Sequence, residues 1–140
     1  MAFMIGILSF FGISFLISWL SGGAWLSALN DKGAFAAMMM FVLVGISHFA
    51  KAEKIEAMIP PHWPYRHAMN YISGAAEITL GILLLFPATR MWAAYGLLLL
   101  LLAVFPANIY VAGSKPNLYN ISRLFFQPVY MWWIWYFCVR

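Results

Sequence analysis

Glu77 lies inside an apolar stretch, Asn70–Phe86, that contains no other charged residue. In a membrane-spanning helix, a charged side chain costs roughly 2.5–3.5 kcal/mol at the bilayer centre on the translocon scale. A carboxyl group in such a place therefore needs a polar partner, a bound proton or a chemical role. The chemistry open to it is ion pairing, hydrogen bonding and proton exchange.

Four other polar side chains are spaced to meet Glu77 if the apolar stretches of the sequence are helices. We call side A the membrane face that holds the N-terminus. Glu77 lies eight residues from Met69, at the side A end of its stretch, which is about 12 Å of helix. The other residues also fall in the half of the membrane next to side A: His48, Asn108, Arg123 and Gln127. The sequence therefore predicts a polar cluster of these five residues.

The stretch around Glu77 carries a second pattern. Its small and polar residues recur at i, i+3, i+4, i+7 and i+11, along one face of a helix: Asn70, Ser73, Gly74, Glu77 and Gly81. Small residues let helices approach closely in lipid, and polar residues form hydrogen bonds across the contact. We expect Glu77 to face the interior of the bundle.

Two interpretations of the cluster stay open, and they are compatible. In one, Glu77 pairs with Arg123 or His48 and holds the helices together. In the other, the cluster lines a polar pocket that is entered from side A and covered by the segment 51–66. Pro106 removes a backbone N–H and is expected to kink its helix just before Asn108, which would open space there.

The composition is typical of a helical membrane protein. The chain has 140 residues, of which 65% are hydrophobic and 9% charged, whereas soluble domains carry about 25% charged residues. Backbone groups in lipid must be satisfied within the segment, which requires helices for continuous apolar runs. The predicted fold class is all-α, a polytopic transmembrane helix bundle in a single domain, residues 1–140. Its spans are expected at about 3–20, 33–50, 69–86, 91–112 and 124–139.

The connections between these spans are short. Segment 51–66 has an apolar helical face and is predicted to be a short interfacial helix that Pro60 and Pro61 end. Pro87–Arg90 and Gly113–Asn117 are predicted to be turns. The first run has no positively charged n-region, and we expect a retained helix rather than a cleaved signal peptide.

Several classes of function are disfavoured. The net charge of +4 forms no dense basic tract, so nucleic-acid binding is not expected. The single cysteine, Cys138, allows no internal disulfide and no CxxC redox pair. His48, His62 and His67 match no known metal-ligand spacing, so no metal site is expected.

Several short motifs, taken in order, resemble those of DoxX-like membrane proteins. They are Ile46–Phe49, Pro60–Pro61, Ser73–Ile78, Phe105–Tyr110 and Arg123–Gln127. The resemblance implies a four-helix core in a bacterial inner (cytoplasmic) membrane. Some members of that family are associated with sulfur or thiol oxidation, including the small subunit of a quinone-reducing oxidoreductase. The run at 3–20 would be an additional N-terminal helix, and the lack of cysteine pairs would leave any thiol chemistry to a partner.

The leading hypothesis is a redox-linked accessory subunit that binds a quinone-like or other amphipathic lipid in the polar pocket. A quinone needs an apolar slot, a few hydrogen-bond donors and a protonatable group near its oxygens. The sequence shows no electron carrier, so a stand-alone enzyme is not expected, and a partner membrane subunit or a homo-oligomer is. The alternatives are a non-catalytic assembly subunit of a larger membrane complex and, third, a transporter of small solutes or lipids.

The five spans predict that the two termini lie on opposite sides of the membrane. Side A would carry five basic residues, Lys51, Lys54, Arg66, Lys115 and Arg123, and the other side three, Lys32, Arg90 and Arg140. This difference favours side A as cytoplasmic. Cysteines introduced at Ser114 and Ala88 should be labelled from opposite sides by an impermeant reagent. Equal labelling of both from one side would contradict the five-span topology.

Overall fold

The computed structural model describes residues 2–140, which are 82% helical and contain no strand. The elements in chain order are α1 (Ala2–Leu20), α2 (Leu29–Ala50), α3 (Ala52–Glu56), α4 (Arg66–Leu83), α5 (Pro87–Ser114), α6 (Leu118–Ile134) and a terminal π-helical turn, Trp135–Val139. The predicted all-α fold class is confirmed.

Three of the helices are long and apolar enough to cross a membrane, within the part of the chain that the structure describes. They are α1 from Phe3 to Leu20, α2 and α5. These helices are compatible with a membrane protein. Length and hydropathy do not by themselves identify α4 or α6 as spans, so the five-span topology stays a prediction.

Four helices begin at least three residues earlier than predicted, including α4 at Arg66 instead of Met69 and α5 at Pro87 instead of Met91. α2 starts at Leu29 rather than Gly33, and α6 starts at Leu118 rather than Leu124. The start of α6 is set by Asn117, whose side-chain oxygen accepts a hydrogen bond from the Asn120 backbone N–H at 2.8 Å. Such N-caps satisfy a backbone donor at the helix start, and polar residues can therefore form a first turn that hydropathy alone assigns to a loop.

The predicted turn Pro87–Arg90 is wrong, because these residues form the first turn of α5. Proline is well placed there, since the first helical position needs no backbone N–H. The predicted turn Gly113–Asn117 is shorter than expected, because α5 continues to Ser114. α5 also continues past Pro106.

α2 and α4 cross at two glycines, and their backbones are in contact there. A Cβ atom added to Gly45 would lie 2.7 Å from the Gly74 carbonyl oxygen, and one added to Gly74 would lie 2.5 Å from the His48 Cβ. No larger residue fits either position without displacing a helix. This crossing sets His48 of α2 beside the face of α4 that carries Glu77.

α1 and α6 pack side by side through aromatic rings. The rings of Phe3 and Tyr130 pack against each other at a tilt of 39°, with their centroids 4.1 Å apart. The Phe11 ring centroid lies 5.1 Å from that of Trp133 and 5.4 Å from that of Phe137. Since residue numbers rise together along both helices, α1 and α6 run in the same direction. The aromatic C-terminal segment is therefore partly core: Trp133 is buried, whereas Trp132 stays exposed.

We predict that Gly74→Ala and Gly45→Ala each lower the free energy of unfolding by about 1–3 kcal/mol, the usual cost of overpacking. Gly12→Ala is the matched control, since a Cβ atom there meets nothing within 4 Å and the residue lies inside α1. Unfolding midpoints in mild detergent would measure the difference. Equal midpoints for Gly74→Ala and Gly12→Ala would contradict the close crossing.

Candidate functional site

A cavity of about 550 Å³ lies in the half of the bundle next to side A. Residues of all six helices line it, from Phe3 in α1 to Tyr130 in α6. All five residues of the predicted polar cluster are among its lining residues: His48, Glu77, Asn108, Arg123 and Gln127. The fold therefore gathers these side chains around one space.

Segment 51–66, which follows α2 and which we call the cover segment, covers the side A end of this cavity. Its apolar side chains line the cavity: Ile55, Met58, Ile59 and Trp63. α3 itself covers only Ala52–Glu56, and a pair between Glu56 and His67 at 2.7 Å holds it against α4. The structure thus places segment 51–66 where a cover over the pocket was predicted.

The cavity also opens sideways between α4 and α5. Farther from side A the two helices touch, and a Cβ atom added to Gly96 would lie 3.0 Å from the Leu80 side chain. Ala103 and Ala107 lie on the same face of α5 as Gly96, at spacings of seven and eleven residues, and both line the cavity. Opposite them, Ile72 lines the cavity and is 68% exposed. Ala103 is exposed as well, so exposed residues of both helices border the cavity, and it reaches the surface between them.

Glu77 is buried, as its helical-face pattern predicts, together with Asn70, Gly74 and Gly81 on the same face of α4. Its carboxylate Oε2 lies 3.4 Å from His48 Nε2, with side-chain exposures of 8% for Glu77 and 12% for His48. Within residues 2–140, this Oε2 is buried and has no hydrogen-bond partner. Of the two partners considered for Glu77, His48 is therefore the one beside it.

Asn70 fixes the other side of the His48 ring. Its Oδ1 lies 2.8 Å from His48 Nδ1, its backbone oxygen lies 3.0 Å from the same nitrogen, and its Nδ2 donates to the His48 backbone oxygen at 3.0 Å. Asn70 is fully buried. The sequence predicted Asn70 on the same helical face as Glu77 but did not predict it as a site residue. Its position seven residues before Glu77, on the same helical face, was the available signal.

Arg123 does not form the ion pair with Glu77 that was considered from the sequence. Its Nη1 donates to Met58 Sδ at 3.1 Å, and its guanidinium lies 5.9 Å from the Tyr119 ring centroid. No carboxylate in residues 2–140 lies within ion-pair distance of it. The reason is geometric, because the guanidinium turns toward the cover segment whereas Glu77 pairs across the crossing of α2 and α4.

Asn108 and Gln127 join α5 to α6. Asn108 Nδ2 donates to Gln127 Oε1 at 2.8 Å, and Gln127 Nε2 donates to the Leu101 backbone oxygen at 2.6 Å. Gln127 is 3% exposed, so its amide serves mainly this connection. The Asn108 amide oxygen has no hydrogen-bond partner in the described chain and remains an acceptor at the cavity wall.

The cavity wall is mostly apolar, and its polar groups include the His48–Glu77 pair, the Asn108 amide and the Arg123 guanidinium. This combination of an apolar wall and a few placed polar groups is typical of sites for small amphipathic molecules. No group of three or more His, Cys, Asp or Glu side chains in the described residues is arranged to hold a metal ion.

A family whose description is "Domain of unknown function (DUF8561)" matches residues 36–138. This match covers most of the chain, from the middle of α2 to the C-terminal π-helical turn, and so includes the polar residues of the cavity. No curated protein matches the chain, and no solved structure does. The resemblance to DoxX-like proteins stays a prediction from the motifs.

We predict that Glu77→Gln changes stability by less than about 1 kcal/mol, because the amide keeps the shape and can donate to His48 Nε2. Glu77→Leu should lower the free energy of unfolding by about 1–3 kcal/mol, since it leaves a buried polar nitrogen unpaired. Thr79→Leu, on the exposed face of the same helix, is the control. Unfolding midpoints in detergent would measure all three, and a Glu77→Leu protein as stable as Thr79→Leu would exclude the contact with His48.

Proposed function

The chain belongs to the DUF8561 family, and because that description assigns no activity, we propose a function from the cavity itself. We propose that the protein binds the headgroup of a quinone-like amphipathic lipid in the cavity between α4, α5 and the cover segment. The observation that carries this proposal is a buried carboxyl–imidazole pair on the wall of an apolar cavity that reaches the surface between α4 and α5.

The size and walls of the cavity support a lipid-soluble ligand. A volume of about 550 Å³ lies within the usual range for small-molecule sites, about 300–1,000 Å³. The gap between α4 and α5 gives an apolar tail a way to remain in the bilayer while its headgroup lies inside. A water-soluble ligand would not need an opening on the side of the bundle that faces the bilayer.

The positions of the polar groups support a headgroup with oxygens on more than one side. The His48–Glu77 pair lies on the α2 and α4 side, and the Asn108 amide lies on the α5 side. The Arg123 guanidinium adds a donor beside the cover segment. A quinone ring carries oxygens at opposite edges, and these residues could hold such a ring by hydrogen bonds at both.

The proposal includes a location and a role. We place the protein in a bacterial inner membrane with five spans, as a redox-linked accessory subunit of a partner membrane protein. The resemblance to DoxX-like proteins supports this role. The chain's own residues would bind and orient the headgroup and supply a protonatable group, and electron transfer would be left to the partner.

We predict that Ala107→Trp lowers the affinity for a short-chain benzoquinone probe by at least tenfold, because the indole would fill the part of the cavity opposite α4. Leu99→Trp is the matched control, since Leu99 is on the same helix and 68% exposed. Equilibrium binding to protein in mild detergent would measure both. Ala107→Phe, a smaller addition, serves if the tryptophan variant does not fold.

The native ligand can be sought in the same preparation. Mass spectrometry of small molecules and proteins that co-purify in mild detergent should find a lipid-soluble quinone or related amphiphile, and Ala107→Trp should release it. Equal probe affinity in Ala107→Trp and Leu99→Trp, with no co-purifying amphiphile, would refute the proposal. A stoichiometric partner protein in that sample would then favour the assembly-subunit alternative.

A further inference from the structure

We propose that Asn70, His48 and Glu77 form a relay that holds a single proton at the cavity wall, between His48 Nε2 and Glu77 Oε2, with Asn70 as the positioning residue. The exchange of that proton with a bound headgroup rests on the proposed function. The relay itself is a property of the chain and can be tested without a ligand.

The first step concerns which ring nitrogen of His48 carries hydrogen. Asn70 Nδ2 donates to the His48 backbone oxygen, which leaves Asn70 Oδ1 as the atom that faces His48 Nδ1 at 2.8 Å. The Asn70 backbone oxygen, also an acceptor, faces the same nitrogen at 3.0 Å. The Ser73 hydroxyl, 3.4 Å from that nitrogen, already donates to the Asn70 backbone oxygen. With acceptors around it, His48 Nδ1 must be the donor.

The second step counts protons on the opposite side of the ring. With hydrogen on Nδ1, a neutral His48 presents a lone pair at Nε2, and this atom faces Glu77 Oε2 at 3.4 Å. A bare nitrogen and an ionised carboxylate would repel each other in this buried position. One proton between them removes the repulsion, whether it resides on the carboxyl group or on the imidazole, and leaves the pair neutral overall. A buried site of low dielectric favours this neutral state.

The third step concerns what balances the pair when its proton leaves. The pair then carries one negative charge, and Arg123 lines the same cavity without a carboxylate partner in the described residues. The other titratable side chains on the wall are Tyr119 and Tyr130, both on α6. The cover segment and α5 line the cavity with no ionisable side chain in the described chain. A single proton is thus exchanged opposite a fixed positive charge.

Asn70 acts through His48 and not by touching a ligand oxygen. It lies on the ring side away from Glu77, and its amide spans α2 and α4 with both of its polar atoms. Loss of this amide would leave Nδ1 only the longer contact with the backbone oxygen of residue 70, at 3.0 Å, and would allow His48 to place its hydrogen on Nε2 in part of the population. In that tautomer, His48 Nε2–H would donate to the Glu77 carboxylate. The pair would then no longer need an additional proton, and the relay would be lost.

Nitrogen NMR of isotope-labelled histidine tests the relay in ligand-free protein. The chain has three histidines, so His62→Gln with His67→Gln leaves His48 as the only signal. We expect hydrogen on Nδ1 of His48 in this background. Asn70→Ala should shift the population toward the Nε2-protonated tautomer, whereas Asn70→Asp, which keeps an acceptor at Nδ1, should preserve the original one. Asn108→Ala, which removes another amide from the same cavity, is the control and should leave the His48 tautomer unchanged.

An Nε2-protonated His48 in the parent protein, or an unchanged tautomer in folded Asn70→Ala, would overturn the relay. Asn70→Asp keeps the test decisive if Asn70→Ala does not fold, since loss of the Nδ1–H signal in Asn70→Asp would equally overturn it. Binding of the benzoquinone probe as a function of pH tests the exchange separately. It should follow one protonation step that Glu77→Gln abolishes, and a probe that does not bind at all would refute the proposed function while the NMR result stands.

Discussion

The backbone contact between α2 and α4 is the constraint on which the rest of the site depends. Gly45 and Gly74 bring the two helices so close that any side chain at either position would meet the other helix or its His48. This closeness lets Asn70 reach both the ring and the backbone of His48, and it presents Glu77 to the remaining ring nitrogen. In lipid, where apolar surfaces give helices little reason to associate, such contacts and hydrogen bonds across them hold a bundle together.

The polar residues divide into those that connect helices and those that face the cavity. Asn70 and Gln127 are almost completely buried, and each connects two helices with both ends of its amide. Glu77 and Arg123 are different, because one has an unpaired carboxylate oxygen and the other has only a thioether and a ring as neighbours in the described chain. A cluster built only to hold helices together would be expected to pair these two charges with each other, since an unpaired buried polar group is costly.

The sequence predicted the helical face of Glu77 and brought together five polar residues that line the cavity, because a period of 3.6 residues and the lengths of the apolar runs determine depth and direction. It did not predict the partner of Arg123, since Met58 reaches it from a loop whose path depends on the packing of α3. The start of α6 was missed because a capping asparagine, not hydropathy, sets it. The opening of the cavity between α4 and α5 was also not predicted, because it depends on how the two helices pack in the folded bundle.

Charged side chains join α2, α4 and α5 at the end of the bundle away from side A. Arg90 pairs with Asp31 at 2.8 Å and also donates to the Leu84 backbone oxygen, and Lys32 is bound by the carbonyl oxygens of Leu26 and Ser27. α4 and α5 are thus joined at this end, whereas at the other end exposed residues of both helices, Ile72 and Ala103, border the cavity. Any widening of the gap must pivot about the joined end, so a small tilt of α5 near Arg90 becomes a larger displacement at Ala107. The distance of Ala107 from this joined end, and not the flexibility of a loop, would then decide how bulky a headgroup the protein admits.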